Sequence, residues 1–195
     1  HQGTTINNWR EEEPGKILHE FRLGEMASCD EIPHTPYYGT VDATPLWLIL
    51  YADYYAWTGD RGFLEAYWEH ALAAMDWIDR NCAATGYLTY QQKSPGGLQN
   101  QGWKDSSNCI VNAKGHLAKG AIALVEVQGY VYAAKTRMSQ LAQLRQEQSL
   151  GDRWQREAAA LKTRFEQDFW LTDPDYYALA LDGENHRVDS ITSNP

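Results

Sequence analysis

Thr44-Pro45-Leu46-Trp47-Leu48-Ile49-Leu50-Tyr51-Ala52-Asp53-Tyr54-Tyr55-Ala56-Trp57-Thr58-Gly59-Asp60 is the stretch that decides the fold class. Thr44 before Pro45 predicts a helix start: the threonine oxygen caps free amides, and proline in the first turn lacks an N–H that would have had no partner. From Leu46 to about Trp57 the residues are apolar almost all round, so this helix must be buried on several sides. Gly59 stops it and Asp60 opens the next, along which Leu64, Trp68, Ala71, Met75 and Ile78 recur at helical spacing to about Arg80.

Further along, Asp152 and Gln155 have the spacing of a capping box. Behind them Trp154, Ala158, Leu161, Phe165 and Phe169 form one apolar stripe, which Pro174 ends. A fourth helix lies between, reaching Lys135 or somewhat beyond. Gly115, Gly120 and Gly129 speak against a start at His116, which favours a start close to Leu124. Strands are minor: Tyr87 to Tyr90, Tyr176 to Leu181 and Ile17 to Phe21 are candidate hairpin arms. The expectation is an all-α chain with small β-hairpins and two long loops, 24–43 and 91–115. Loops of that length are usually functional or disordered, and their Trp, Tyr, Gly and His content speaks against disorder.

At 195 residues with 43% hydrophobic side chains, the chain is long enough for one sizeable domain with its own core. A formal net charge of −9 argues against a nucleic-acid partner bound through its phosphates. Eight Trp and twelve Tyr supply amphipathic aromatic surface, which suits a neutral polar partner such as a carbohydrate. Cys29, Cys82 and Cys109 are widely spaced and form no C-x-x-C pair, a pattern of free thiols in a reducing compartment, expected to be small buried groups. The apolar run Leu46 to Ala52 is too short to span a bilayer, and the polar start His1-Gln2-Gly3-Thr4 does not read as a signal peptide. A cytoplasmic protein with no membrane partner is the expectation.

Gln101-Gly102-Trp103-Lys104-Asp105-Ser106 places one carboxylic acid beside an aromatic plane and a cation, behind a glycine. A site that cleaves sugars needs such parts: an apolar face to stack a pyranose ring, polar groups for its hydroxyls, and an acid to protonate the leaving oxygen. On local pattern alone, an Asp beside a Lys in a polar loop is more often a surface turn. Trp103 is the best candidate stacking platform. No metal is expected: Leu23 stands where His19-Glu20 would need a second histidine, and His34, His70, His116 and His186 form no ligand set. No phosphate-cradling glycine loop and no nucleophilic elbow is present, so no cofactor is expected.

Six segments follow in order: His19-Glu20-Phe21-Arg22, Pro36 to Leu46, Trp57-Thr58-Gly59-Asp60, Gly97 to Ser106, Glu126-Val127-Gln128-Gly129-Tyr130, and Thr192-Ser193-Asn194-Pro195. This ordered set resembles the amylo-α-1,6-glucosidase family, the glucosidase part of glycogen debranching enzymes and their bacterial relatives. The resemblance implies a six-hairpin (α/α)6 barrel with its site in a funnel at one end. Such a barrel has twelve helices where the sequence shows four substantial ones, so residues 1–195 are expected to be the N-terminal part of a single catalytic domain. Exposed apolar faces would then favour dimerisation.

The resemblance also implies an inverting glycosidase that releases glucose from α-1,6 branch points, with Asp105 as the acid, held protonated by enclosure and nearby carboxylates. Lys104 is then expected to turn towards sugar hydroxyls or another carboxylate. No residue in 1–195 matches the family's base. Asp42 either caps a helix or holds sugar hydroxyls, and the Thr44 cap favours the second. Tyr37 and Tyr38 either stack on sugar or pack the loop. Glu126 and Gln128 face the funnel, Gln128 being the stronger candidate and Glu126 partly structural, while Tyr130 belongs to the core. His19, Glu20 and Arg22 form a bracing polar network. Alternatives are another (α/α)6 glycosidase with a different sugar or linkage, and a catalytically incomplete carbohydrate-binding fragment.

Overall fold

In a computed structural model, which describes residues 1–194, helices dominate. Helix α1 is a single turn, Glu25–Ser28, inside the first long loop, where the sequence gives no sign of it. Helix α2, Ala43–Thr58, ends where Gly59 takes a left-handed conformation (φ 66°) and returns its N–H to the Tyr55 carbonyl at 2.8 Å. Helix α3, Arg61–Cys82, begins at once, because the Asp60 carboxylate accepts the Phe63 amide at 3.0 Å. So short a joint makes α2 and α3 an antiparallel hairpin.

Helix α4, Val125–Leu144, starts beside the expected Leu124 and runs well past Lys135. Helix α5, Gln148–Asp168, starts four residues before the expected capping box. Asp152 is therefore inside the helix, and its carboxylate accepts Gln148 Nε2 at 2.8 Å instead of capping. The stripe keeps its predicted face, with Trp154, Ala158 and Leu161 buried. Helix α2 packs against both α3 and α4, and α4 packs against α5, so two helical hairpins stand side by side. Trp68 of α3 meets Trp154 of α5 edge-on, with ring centroids 6.5 Å apart.

The strands are two-residue pieces. β1 (Ala123–Leu124), β4 (Ala180–Leu181) and β5 (Arg187–Val188) form an antiparallel sheet in the order β1-β4-β5, while β2 (Trp170–Leu171) pairs with β3 (Tyr176–Tyr177). The arms expected at 17–21 and 87–90 shrink to isolated bridges, Gln2 with Ile17, Glu20 with Tyr37 and Tyr90 with Ile122. Helices supply the core, and these bridges serve to pin loops. The all-α expectation holds, with α2 to α5 as the four substantial helices, an arrangement consistent with part of an (α/α)6 barrel.

One face of α2 is open: Leu46, Leu50, Tyr54 and Trp57 recur at helical spacing and are exposed, Trp57 at 90%. Cys29 is exposed too, against the expectation of a buried group, because it follows the surface turn α1. Cys82 and Cys109 are half-buried, and burial pushes the Cys82 thiol up to about 12. Among the described residues no helix is long and apolar enough to cross a membrane.

Lys135 of α4 joins three helices. It is buried, and its ammonium donates to Asp79 of α3 and Glu157 of α5, both at 2.5 Å. Burial works against its charge, but the two carboxylates outweigh it and hold its pKa above the ordinary value. A raised lysine pKa contributes stability that is fully present at neutral pH and is lost as pH rises through the folded-state value. Lys135→Met leaves two part-buried carboxylates with only their longer pairs to Arg153, at 3.6 and 3.7 Å. It is expected to cost about 2 kcal/mol in urea unfolding at pH 7, below the usual cost of breaking a fully buried pair because the partners are partly solvated. An unchanged midpoint would mean that the cluster carries no net stability.

Candidate functional site

The second long loop folds back over the starts of α2 and α4. The Val41 amide, just before α2, donates to the Gln101 carbonyl at 2.8 Å. Asn100 closes the bend: it accepts the Tyr90 hydroxyl at 2.6 Å and donates to the Ser106 carbonyl at 2.7 Å. Gly102 lies directly on the start of α4. A Cβ there would run into Leu124 Cδ1 and stand 3.9 Å from Glu126 Oε1, so glycine is what permits the approach. The bend projects Trp103, which is 82% exposed, with Lys104 half-buried and Asp105 exposed. Trp103 thus has a free face. The described residues do not form the enclosure expected around Asp105.

Asp42 follows Val41, which is bonded to Gln101, and Glu126 lies near Gly102. Asp42 is half-buried and precedes α2 without capping it; its carboxylate takes the Thr40 hydroxyl. The expected Thr44 cap is not formed either. The helix begins at Ala43, which puts Thr44 inside it, and its hydroxyl accepts the Ile17 amide at 3.0 Å. Glu126, second residue of α4, is 9% exposed, and Oε1 accepts Asn194 Nδ2 at 2.7 Å. Oε2 is buried with no partner among the described residues. Burial raises the Glu126 pKa and the negative charge of Asp42 adds to the rise, while its own amide, Asn194 and Lys104 pull it back. Tyr130, one turn on and half-buried, feels both carboxylates on top of its own burial, which raise its pKa. Asp42, Lys104 and Glu126 therefore share one electrostatic neighbourhood.

Three candidates turn away from it. Tyr37 is fully buried, its ring 4.6 Å from that of His34 and its hydroxyl accepting the Leu98 amide at 2.7 Å. Tyr38 is 3% exposed. Neither presents a face to a sugar, and the packing alternative describes both. Gln128 is 1% exposed, and its amide is used up: it accepts the Leu88 N–H at 3.0 Å and donates to the Leu88 and Leu124 carbonyls at 2.9 Å each. It clamps the loop backbone where no β-ladder reaches, and does not line a funnel. The bracing network exists with a different member: Glu20 binds Arg22 and His34, at 3.1 Å each, while His19 meets Tyr37 only edge-on.

Glu11 is a functional candidate that the sequence does not reveal, since its partners are distant in the chain. It is buried and accepts three hydrogen bonds. Beside it lies a cavity of about 170 Å³ lined by Glu11, Glu13, Lys16, Trp77 and Gln101 among others, where burial lowers Lys16 to about 8. Asn194 was quoted within a motif but given no role; Pro195, the last residue of that motif, lies outside the described residues. Among the described residues no group of three or more His, Cys, Asp or Glu side chains is placed to hold a metal ion.

Two side-by-side helical hairpins, with a loop across their starts bearing an aromatic face and carboxylates, call for a comparison with glycosidase barrels. A family model described as the bacterial alpha-L-rhamnosidase 6 hairpin glycosidase domain matches residues 17–186. The chain belongs to that family. No curated protein matches it. Membership in this six-hairpin glycosidase family shows the fold class expected from the sequence, and does so without singling out the amylo-α-1,6-glucosidases. The matched span includes Asp42, Trp103, Lys104, Asp105 and Glu126 and leaves out Glu11 and Asn194.

Gln128→Leu keeps the side-chain bulk but strips the Leu88 amide and carbonyl of their buried partner. Leaving such groups unpaired costs about 1–3 kcal/mol each, so a loss of about 3 kcal/mol in thermal or urea unfolding is expected. Unchanged stability would mean that the clamp carries no net stability.

Proposed function

We propose that the protein is an inverting glycoside hydrolase acting on α-glucosidic bonds, with Asp105 as the general acid. The observation that supports this best is the projecting bend: Trp103 presents an exposed indole two residues before Asp105, and Lys104 between them shares an electrostatic neighbourhood with Asp42 and Glu126. A pyranose ring stacks on Trp103 with its apolar face, which leaves its hydroxyls at the rim for charged partners. Lys104 donates to them. Asp42 accepts from them, as does Glu126 where the sugar displaces what covers its Oε2, an atom that is buried and has no partner among the described residues. Asp105 gives its proton to the glycosidic oxygen as the bond to the anomeric carbon breaks. Water adds to the opposite face of the sugar, losing its proton to a second carboxylate roughly 6.5–9.5 Å from the acid. That base is assigned to no residue of 1–195. The chemistry needs no cofactor.

An α-glucoside is favoured by the six ordered motifs, which resemble those of amylo-α-1,6-glucosidases. The matched family's own description favours a second reading, in which the bound sugar is an α-L-rhamnoside. The two share the acid and differ in the sugar seated on Trp103.

The test is sugar release by the full-length protein from α-1,6-, α-1,4- and α,α-1,1-glucosides and from α-L-rhamnosides. Asp105→Asn is expected to lower kcat by about 10³-fold with its unfolding midpoint unchanged, since general acids contribute on the order of 10²–10⁴-fold. Glu126→Gln should act mainly on KM, as a group that binds ground state and transition state alike. Rhamnose release without glucose release would select the second reading. Full activity in Asp105→Asn would remove Asp105 from the mechanism.

A further inference from the structure

We infer that Glu11 is a positioning residue that sets the loop carrying Trp103 and Asp105 against the starts of α2 and α4. The inference rests on the reading of that loop as catalytic, but its geometry is independent of the substrate. Glu11 is 2% exposed and holds a left-handed backbone (φ 55°), which non-glycine residues rarely adopt. Its Oε1 accepts the amides of Lys93 and Ser94 at 3.1 and 3.2 Å, and its Oε2 accepts Gln101 Nε2 at 2.7 Å. One carboxylate thus fastens the loop at both ends of the segment 93–101.

The chain of contacts continues into the site. Gln101 is itself 2% exposed, its carbonyl accepts the Val41 amide next to Asp42, and Gly102-Trp103 follow it directly. Space around the carboxylate is tight: a Cβ on Gly97 would stand 3.1 Å from Glu11 Oε1 and collide with the Tyr37 hydroxyl. The segment bearing Glu11 is held in turn, since the Arg10 carbonyl accepts the Tyr38 amide at 2.8 Å and the Glu11 carbonyl accepts Lys16 Nζ at 3.3 Å. Glu11 lies before the span 17–186 that matches the family, so this brace comes from the chain's N-terminal arm.

The acceptor pattern dictates the variants. A glutamine at position 11 can still accept the Lys93 and Ser94 amides with its oxygen, but sets its own NH2 against that of Gln101, which can answer with its oxygen only by turning its amide and giving up the Leu98 carbonyl. Glu11→Gln should therefore loosen 98–105 and spare 93–94. Glu11→Ala should loosen both. The paired change Glu11→Gln with Gln101→Glu restores a donor facing an acceptor and should tighten the loop again. The measurement is amide hydrogen exchange over 93–105 in the full-length protein, with sugar release read in parallel.

Expected is about tenfold faster exchange at 98–105 in Glu11→Gln, with exchange in α3 to α5 unchanged. A fall in kcat of about 10- to 100-fold at nearly constant KM should accompany it, and the paired change should recover both. Unchanged exchange at 98–105 in both single variants would overturn the inference whatever the activity. So would exchange that rises through all the helices and is not rescued by the pair, since Glu11 would then merely support the fold. If the unaltered protein cleaves none of the sugars, the catalytic reading of the loop fails, and the exchange pattern alone decides whether Glu11 positions it.

Discussion

The 2.8 Å hydrogen bond from the Val41 amide to the Gln101 carbonyl joins two segments about sixty residues apart in sequence, and the candidate site exists because of it. On one side of that bond stands Asp42 and the first turn of α2. On the other the chain passes through Gly102, flat against Leu124, into Trp103 and Asp105. A glycine is needed at 102 because any side chain would displace Leu124, a fully buried residue that leads into α4. The helices thus contribute little chemistry of their own. They supply two adjacent starts against which a loop of irregular backbone is held.

Helix starts are suitable places for carboxylates, since their unpaired amides and dipole favour negative charge. Glu126 gains this at α4, where its own amide helps the charged form, yet burial and Asp42 work the other way and prevail. A buried carboxyl group with a raised pKa and an oxygen that has no partner among the described residues is costly for folding alone. On the proposed reading, hydroxyl groups of a sugar would complete its hydrogen bonds. The same economy appears in Lys104, half-buried, whose positive charge moderates Glu126.

Much of this was legible in the sequence, for particular reasons. The Gly59-Asp60 joint and the stripe from Leu64 to Ile78 gave α2 and α3 because helix stops, caps and periodicity are local signals. The Leu124 start of α4 followed from Gly115 and Gly120, which speak against an earlier start. Trp103, Lys104 and Asp105, weak as a local pattern, stood out because they lie within an ordered set of six segments. What failed was whatever depends on distant partners. Gln128 looked like a funnel residue and is instead the partner of Leu88, forty positions away. Thr44 looked like a cap and serves Ile17. For Tyr37 and Tyr38 the sequence left stacking and packing open, and burial decides for packing; Glu11 gave no local signal, because its three hydrogen-bond donors lie more than eighty residues away. Family membership confirmed the hairpin fold and the glycosidase class while leaving the sugar to experiment.

The central claim is that segments far apart in sequence bring their carboxylates into one electrostatic site. A direct test is the titration of the Glu126 carboxyl, followed by carbon-13 NMR in the unaltered protein and in Asp42→Asn. The account predicts a midpoint above the ordinary 4.5 in the unaltered protein, moving down when the Asp42 charge is removed. A midpoint at the ordinary value that ignores Asp42 would contradict it, and would mean that the two helix starts do not share a site.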